Sequence, residues 1–454
     1  MSDGSAILNK QQIAMKFYNR EKELEMLDKG RQSSFNLHSQ MTVLTGRRRI
    51  GKTSLILNSC ENTPTIYLFV SRSNEAALCK TFSESIKHVF NTYVPEENSF
   101  ARLFLFLMEL GKREKYNLII DEFQEFFYIN PEIYSRMQDI WDRNRKESHV
   151  NLIVSGSVYT LMNKIFRDYR EPLYGRADSI IKLSAFTTPV LKQILSDYKP
   201  DYTHDDLLAL YTFTGGVPKY IEFFMDKGCT DMEQMVDAML QQDSMMLTEG
   251  KSMLIQELGK KYGNYFSLLA AIASGNNTFP TLEEEMGKNM GGLLNRLEED
   301  YELIKKKRPI LAKEGTQAVR YEISDLFLRF WFRYFIKYQQ YIEIGNLKGL
   351  ADIIKNDYPT YSGLTLEMYF RQQMMESFEF MDIGSWWEGK RNIDQHEIDI
   401  VGIYTDNKRA LVVEVKRQRK NFKLELFQQK IEAIRKKILF KYKIETRCWS
   451  MEDM

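Results

Sequence analysis

The sequence predicts an α/β protein that begins with a parallel β-sheet covered by helices. From about residue 17 to residue 185, short apolar runs alternate with stretches of helical periodicity, which is the pattern of strands joined by crossover helices. Five runs are predicted to be strands: residues 41–45, 65–70, 117–121, 151–155 and 179–183. These runs lack alternating polar positions, as expected for strands that are covered on both faces.

Length and composition indicate a globular protein of several domains. The 454 residues exceed one ordinary core. The 63 Lys and Arg residues nearly cancel the 62 Asp and Glu residues, so any basic surface must be local. The four cysteines match no zinc or disulfide spacing. Residues 1–10 lack the features of a signal peptide, and no apolar run is long enough for a membrane span. We therefore expect a cytoplasmic protein without a membrane partner.

One segment has the spacing of a phosphate-binding loop, between the strand at residues 41–45 and a helix beginning near Ser54. It reads Gly46-Arg47-Arg48-Arg49-Ile50-Gly51-Lys52-Thr53. The glycines let backbone N–H groups turn inward around phosphate oxygens, and the helix N-terminus adds partial positive charge. Lys52 is predicted to reach the β and γ phosphates, and Thr53 to place its hydroxyl on Mg²⁺. This is the pattern of a P-loop NTPase.

Two carboxylates follow the apolar strand at residues 117–121. Asp121 is predicted to hold Mg²⁺ through water, and Glu122 to orient or deprotonate the water that attacks the phosphate. Acidic residues after a strand can also cap the next helix, but the upstream phosphate loop favours the catalytic interpretation.

Two further positions are candidates with open alternatives. Ser157, in the tip Ser155-Gly156-Ser157, could sense the γ-phosphate or cap a helix. Arg176, shortly before the fifth strand, could neutralise transition-state charge in its own or a neighbouring subunit, or be a surface arginine.

The sequence predicts an ATPase core at residues 1–185 and three more domains after it. Residues 186–250 have helical spacing and are expected to form a lid. Residues 251–325 contain three short helices, at 265–273, 282–286 and 290–299, and two strand-like runs, at 301–304 and 319–323, with a basic turn at 305–308. That outline predicts a winged helix-turn-helix. An aromatic helix at 326–341 opens the last unit, residues 326–454.

Residues 396–401 and 410–416 are predicted to be paired strands that bring Asp399, Glu414 and Lys416 to one face. Two carboxylates and a lysine in this arrangement can hold a divalent cation and a water. The bland alternative is a solvated hairpin. A local phosphate-binding surface is suggested by basic residues in the helix at 422–437 and in the segment before it, namely Arg417, Arg419, Lys420 and Lys423, although such helix faces are often simply solvated.

Several segments together resemble the archaeal-type ATPases on the AAA+/STAND side of the P-loop enzymes. They are Phe17-Tyr18-Asn19-Arg20-Glu21 with Leu24, the strand Leu118-Ile119-Ile120-Asp121-Glu122-Phe123-Gln124, Pro172-Leu173-Tyr174-Gly175-Arg176 and Gly215-Gly216-Val217-Pro218-Lys219. The resemblance implies ATP as the nucleotide and a sheet in which the acidic strand lies between the phosphate-loop strand and its neighbours. It also implies a nucleotide-sensing turn at Pro218, and contacts of Arg47, Arg48 and Arg49 with phosphate or a neighbouring subunit.

The C-terminal region resembles a second family. The spacing from Asp399 to Glu414 and Lys416 is similar to the PD-(D/E)XK nuclease core, and Glu367, on a helix at residues 364–374, matches the acidic residue that many such folds carry there. With Trp386-Trp387, this tail resembles the DUF234 domain. The two tryptophans could stack on nucleic-acid bases or pack in the core and at its rim. Ile398 stands where the nuclease pattern has proline. An active nuclease with a second divalent cation, a degenerate nucleic-acid-binding fold and a plain hairpin all remain open.

Two functions follow. The first is an ATPase that couples nucleotide turnover to DNA binding or processing. The alternative is a nucleotide-controlled signalling or assembly switch, with possible homo-oligomers and no nuclease activity. Salt-dependent binding to duplex DNA distinguishes them.

Overall fold

The structure, a computed structural model, describes residues 15–157, 159–259, 262–287, 290–313, 315–316, 318–388 and 396–454. It divides into two compact units. One is Asn19–Ser184, and the other is Ala185–Met454 with the described residues of Met1–Tyr18. The prediction that residues 1–10 are not a signal peptide concerns a segment outside the described residues. Among the helices that are described, none is long and apolar enough to cross a membrane.

The unit Asn19–Ser184 is a parallel sheet with helices, as predicted. Its strands are β1 (Gln40–Thr45), β2 (Thr65–Phe69), β3 (Tyr116–Asp121), β4 (Val150–Gly156) and β5 (Ser179–Lys182). Its helices are α1 (Glu21–Asn36), α2 (Lys52–Ser59), α3 (Glu75–Phe90), α4 (Phe100–Leu110), α5 (Phe126–Ile129), α6 (Glu132–Asn144) and α7 (Tyr159–Arg167). All residues of β3 and β4 are buried, which explains why these strands read as continuous apolar runs.

The strand order of this sheet is β2-β3-β4-β1-β5. The acidic strand β3 therefore does not pair with the phosphate-loop strand β1, because β4 lies between them. In β4, Leu152 is paired with Met41 on one side and with Leu118 on the other. The placement implied by the resemblance is corrected in this respect. The strands still run parallel, so the segments that follow β1, β3 and β4 meet at one edge of the sheet.

The second unit is mostly helical, with a small sheet near its end. Its helices are α8 (Thr188–Tyr198), α9 (His204–Thr214), α10 (Pro218–Met225), α11 (Met232–Met239), α12 (Met246–Leu258), α13 (Tyr262–Ala273), α14 (Phe279–Met286), α15 (Gly291–Asn295), α16 (Leu326–Trp331), α17 (Gln339–Glu343), α18 (Leu347–Ser377) and α19 (Leu424–Lys437). Its strands are β6 (Ile304–Lys307), β7 (Arg320–Ile323), β8 (Phe380–Trp387), β9 (Glu397–Tyr404), β10 (Arg409–Val415) and β11 (Lys443–Trp449).

Helices α13 to α15 and the antiparallel pair β6–β7 occur in the order expected for the three helices and the hairpin. The predicted basic turn is instead largely strand. Lys305 is paired with Glu322 across the hairpin, and Lys307 Nζ donates to Glu322 Oε1 at 2.6 Å. The glutamate on the opposite strand compensates the lysines, so the strand extends through them.

Two helix predictions also change. The aromatic helix at residues 326–341 is divided, because a π-helical turn, Phe332–Ile336, lies between α16 and α17. The helix at residues 364–374 is the C-terminal part of the 31-residue α18, which continues through Pro359. The aromatic side chains pack into the core of this unit, where the rings of Phe213 and Phe330 lie 5.0 Å apart.

The C-terminal sheet has the order β11-β10-β9-β8. Strand β10 pairs antiparallel with β9, as predicted, and parallel with β11. The register places Val413 opposite Ile400. Asp399 and Glu414, one residue beyond that pair on each strand, are therefore neighbours across the hairpin.

Candidate functional site

The phosphate loop is shaped by two glycines with positive φ. Gly46 has φ of 151°, and a Cβ there would lie 2.9 Å from the carbonyl oxygen of Leu183. Gly51 has φ of 87° and precedes the first residue of α2, where its carbonyl accepts the first helical hydrogen bond, from Leu55 N at 3.0 Å. Side chains would strain both positions, so the loop can approach a ligand with its backbone amides.

Lys52 is buried inside this loop. Its Nζ donates to the carbonyl oxygen of Gly46 at 2.8 Å and to that of Arg47 at 3.2 Å. The ammonium group of Lys52 thus lies within the loop that precedes helix α2. There, the phosphate oxygens of a ligand could replace these carbonyl oxygens as hydrogen-bond acceptors. Arg49 has a left-handed backbone, with φ of 70°, and Arg48 and Ile50 lie beside it in the turn.

Arg20 contacts the phosphate loop and the segment after β5, and sequence reasoning did not predict these contacts. This buried guanidinium donates to the carbonyl oxygen of Ser184 at 2.7 Å and to that of Ile50 at 3.5 Å. Its burial lowers the pKa of Arg20 from the ordinary value. The available signal was the arginine beside Glu21 in a segment already recognised as part of the family pattern.

Asp121, at the end of β3, accepts four hydrogen bonds. Its Oδ2 accepts from Thr53 Oγ1 at 3.1 Å and from Tyr67 OH at 2.6 Å. Its Oδ1 accepts from Ser155 Oγ and from the backbone N–H of Glu122. The structure therefore brings Thr53 and Asp121 together as predicted from the sequence, and it adds Tyr67 and Ser155 from the two flanking strands.

Tyr67 was not predicted to belong to the site. Burial, followed by the hydrogen bond to Asp121, raises the pKa of Tyr67 above its ordinary value. The phenol therefore stays protonated and donates throughout the neutral range. The sequence offered one signal, a tyrosine in the middle of a short strand, and this signal does not identify a partner on another strand.

The carboxylate of Glu122 is held by two polar neighbours. Its backbone is left-handed, with φ of 54°. Its Oε2 accepts from Gln124 Nε2 at 2.6 Å and from Ser157 Oγ at 2.8 Å. Ser157 therefore contacts the candidate base in this structure, and Gln124, to which sequence reasoning gave no role, is the second partner of that base. The available signal was a glutamine two residues after the acidic pair, within the segment that carries the family resemblance.

Arg176 lies near the amino ends of the strands. It pairs with Asp142 of α6 at 3.0 Å, and Asp178, two residues later, receives a hydrogen bond from the N–H of Met41 at the start of β1. The phosphate loop follows the other end of β1, roughly 15 Å away at about 3.3 Å per strand residue. This placement separates Arg176 from the phosphate loop of its own unit and leaves the neighbouring-subunit role or the surface role.

The turn at Pro218 is described within the second unit. Pro218 is the first residue of α10, where its missing N–H costs no helical hydrogen bond. A Cβ on Gly216 would lie 2.6 Å from the carbonyl oxygen of Phe186, so this turn also requires glycine. Pro218 and Gly216 together restrict the backbone conformation of this turn.

The predicted C-terminal residues converge. Lys416 Nζ donates to Glu414 Oε1 at 2.8 Å and lies 3.8 Å from Asp399 Oδ2. The N–H of Val415 also donates to Asp399 Oδ2, at 2.7 Å. Lys430 of α19 contacts both carboxylate oxygens of Glu414 at 2.8 Å, a contact that sequence reasoning missed because α19 follows on a separate segment.

The carboxyl groups of Glu367, Asp399 and Glu414 lie close together near Lys416. Burial and the charge of Asp399 raise the pKa of Glu367 to about 8. Burial and the charge of Glu414 raise the pKa of Asp399. Arg371 Nη2 bridges Glu367 Oε2 at 3.4 Å and the carbonyl oxygen of Asp399 at 2.6 Å. Repulsion among buried acids favours a cation, and in this structure lysine and arginine supply it.

Two carboxylates of this cluster, those of Asp399 and Glu414, could bind a second divalent cation. Within the described residues, no group of three or more His, Cys, Asp and Glu side chains is arranged to hold a metal ion. Asp399 and Glu414 face the same ammonium and provide oxygen ligands, which Mg²⁺ prefers. Lys430 would have to leave Glu414 for a cation to use both of its oxygens.

Much of the predicted basic surface is paired internally. Arg417 contacts Asp205 at 2.6 Å, Arg419 contacts Asp453 at 2.6 Å, and Lys437 contacts Glu388. The two tryptophans are buried, and the guanidinium of Arg320 lies 4.5 Å from the ring centre of Trp387. Base stacking on Trp386 or Trp387 would require these contacts to open.

Comparisons with known proteins agree with this architecture. Residues 17–224 match the family model of an ATPase domain found predominantly in Archaea. Residues 331–433 match DUF234, a family of archaeal and bacterial proteins of unknown function. An uncharacterized protein of Methanocaldococcus jannaschii is 29% identical over 411 residues, which cover 88% of this chain and 87% of that protein.

Two solved structures share the fold. The Walker-type ATPase of Pyrococcus abyssi has 19% identity and a TM-score of 0.54, over 70% of this chain and 96% of that chain. The ORC2 protein of Aeropyrum pernix, solved as ADPNP and ADP complexes, has 14% identity and a TM-score of 0.50, over 73% of this chain and 97% of that chain.

Proposed function

We propose that this chain couples ATP turnover to DNA binding or processing. It is an ATP-binding and ATP-hydrolysing protein, which carries an ATPase domain of the predominantly archaeal family followed by a DUF234 domain. The observation that carries this proposal is the convergence of Asp399, Glu414 and Lys416 at neighbouring strand ends, with Lys416 Nζ 2.8 Å from one carboxylate and 3.8 Å from the other.

The proposed roles at the ATP site follow from the contacts. Lys52 and the loop amides bind the phosphates, while Thr53 and Asp121, whose oxygens lie 3.1 Å apart, hold Mg²⁺. When bound, Mg²⁺ supplies positive charge to the phosphate oxygens. Glu122 orients the attacking water and accepts its proton, once released from Gln124 and Ser157.

Three parts carry the remaining proposals. Residues 186–250 form the lid, in which Pro218 senses the nucleotide. Residues 251–325 form the winged helix-turn-helix, for which the order of α13, α14, α15, β6 and β7 is the support. In residues 326–454, Asp399 and Glu414 would hold a divalent cation, which would supply positive charge to a phosphodiester, and Lys416 would steady that phosphodiester. Arg176 acts on the nucleotide of a neighbouring subunit.

The proposal is tested with a labelled DNA duplex at 50 and 200 mM salt and with Mg²⁺ or Mn²⁺ present. A protein that neutralises six or more phosphates should lose about 10³-fold or more in affinity between the two salt concentrations. Cleavage should disappear in Asp399→Ala and in Lys416→Ala. Lys443→Ala, which removes an exposed lysine from the neighbouring strand β11, is the matched control. An affinity that does not change with salt contradicts the proposal.

One observation favours the second candidate, an assembly switch without nuclease activity. Lys430 and Lys416 already neutralise Glu414, and Arg417 and Arg419 are committed to Asp205 and Asp453. A protein of this kind should form homo-oligomers whose size depends on the bound nucleotide. Light scattering after gel filtration with ATP, ADP and no nucleotide measures this directly, and one unchanging mass would remove the candidate.

A further inference from the structure

Tyr67 and Thr53 share one carboxylate oxygen. Tyr67 OH donates to Asp121 Oδ2 at 2.6 Å, and Thr53 Oγ1 donates to the same atom at 3.1 Å. Tyr67 lies on β2 opposite Ile119 of β3, two residues before Asp121. Since side chains alternate along a strand, Tyr67 and Asp121 project from the same face of the sheet.

The two donors differ in what ties them to the site. Thr53 is in the first turn of α2, directly after Lys52, and its hydroxyl is also a ligand for a nucleotide-bound cation. Because a hydroxyl can bind a cation with a lone pair while it donates its proton, the direction of the hydrogen bond from Thr53 to Asp121 depends on where the cation lies. Tyr67 is anchored in a paired strand of the sheet, so its hydrogen bond can persist when that of Thr53 is redirected.

A buried carboxylate needs such a donor. Asp121 is 4% exposed, and the four groups that donate to it are all neutral. Ser155 holds Oδ1 from the strand on the other side. Without Tyr67, Oδ2 would lose its rigid partner, and the carboxylate could rotate about its terminal bond, since such torsions have broad minima.

We propose that Tyr67 is a positioning residue for ATP hydrolysis, which holds the Asp121 carboxylate in the orientation that serves the cation beside Thr53. This inference rests on the proposed role of Asp121. It predicts that removal of the phenol oxygen weakens the cation-dependent part of nucleotide binding and leaves the cation-independent part intact.

The test measures the affinity of a fluorescent, non-hydrolysable ATP analogue in Mg²⁺ and in EDTA, together with kcat and KM for ATP. The variants are Tyr67→Phe, Asp121→Asn, the double variant, and Tyr116→Phe as a matched control. Tyr116 is a buried tyrosine of β3 whose phenol donates to the carbonyl oxygen of Leu107, at the other end of the strand that carries Asp121.

In Tyr67→Phe, the tightening by Mg²⁺ should shrink about tenfold, the effect expected for the loss of a hydrogen bond to a charged group. Its affinity in EDTA should match wild type, and kcat should fall more than KM rises. Tyr116→Phe should resemble wild type. The double variant should lose no more than Asp121→Asn alone, because Tyr67 acts through Asp121.

Each other outcome has a distinct meaning. If Asp121→Asn reduces the Mg²⁺ effect and Tyr67→Phe does not, the inference about Tyr67 is wrong and the role of Asp121 stands. If Asp121→Asn keeps the full Mg²⁺ effect, the proposed role of Asp121 is wrong as well. Equal losses in Mg²⁺ and EDTA would make Tyr67 a purely structural residue.

Discussion

The substitution Gly156→Ala tests how Glu122 is positioned. Gly156 is the last residue of β4, and an added Cβ would lie 2.3 Å from Gln124 Oε1 and 2.5 Å from Met162 Sδ. Both side chains are buried, so at least one must move. If Gln124 moves, its 2.6 Å hydrogen bond to Glu122 Oε2 is the contact that is lost.

The substitution Gly156→Ala should lower both the stability of the protein and the rate of ATP turnover. Overpacking a core position costs about 1–3 kcal/mol. For a unit of this size, each 1 kcal/mol lowers the midpoint of thermal unfolding by roughly 2–4 °C. A well-placed general base contributes about 10²- to 10⁴-fold to the rate, so a displaced Glu122 should lower kcat by at least about tenfold.

The variant Gly111→Ala separates the effect on stability from the effect on turnover. Its Cβ would also lie 2.3 Å from a neighbour, Val150 Cγ2, but at the end of β4 where the strand begins. We expect both variants to melt at lower temperature and only Gly156→Ala to lose turnover. Phosphate release is measured at saturating ATP, well below both melting midpoints. Equal kcat values in the two variants would refute the assignment of Gln124 as the support of Glu122.

Three further predictions concern other parts of the chain. Lys52→Ala should abolish turnover and weaken ATP binding by at least about tenfold, since a charge-assisted contact of about 1.5–3 kcal/mol is lost; unchanged binding in a filter or fluorescence assay would contradict the phosphate-loop assignment. Glu367, whose pKa is raised to about 8, contributes stability that is fully present below its unfolded pKa of about 4.3 and is lost as pH rises through 8. Urea unfolding at pH 5, 7 and 9 should therefore show a decline that Glu367→Gln reduces, and parallel curves would count against it. Arg417→Met breaks the 2.6 Å contact with Asp205 and should lower the free energy of unfolding by about 1.5–3 kcal/mol, whereas Lys420→Met, on an exposed lysine nearby, should change it little; equal unfolding midpoints for the two would be the contrary result.

The central strands of the first unit, β1, β3 and β4, could be predicted because nearly all of their residues are buried. Runs such as residues 117–121 have no alternating polar positions, and the ends of the five predicted strands differ from the structure by at most one residue. The basic run at Lys305–Lys307 was predicted as a turn because charge along a chain does not reveal the opposing strand. Only the pairing with Glu322 and Arg320 makes it a strand.

The candidate site divides in the same way. Local sequence patterns identified four site residues. Two of them lie at a helix N-terminus and two at the end of an apolar strand, namely Lys52, Thr53, Asp121 and Glu122. Their second partners, Tyr67 and Gln124 among them, could not be named. The hydrogen bond from Tyr67 to Asp121 joins neighbouring strands and leaves no periodicity in either segment, and the hydrogen bond from Gln124 to Glu122 depends on the conformation of the turn after β3.

The amino-acid sequence by itself determined that this protein has a phosphate loop beside an acidic strand end, and a separate tail with two carboxylates and a lysine, because local spacing and apolar periodicity are properties of contiguous residues. Only the tertiary structure decided that β4 lies between β1 and β3, that Lys430 neutralises Glu414, and that Arg417 is paired with Asp205. Those contacts join segments far apart in the chain, and they form because a buried charge or hydrogen-bonding group must find a partner wherever the fold places it.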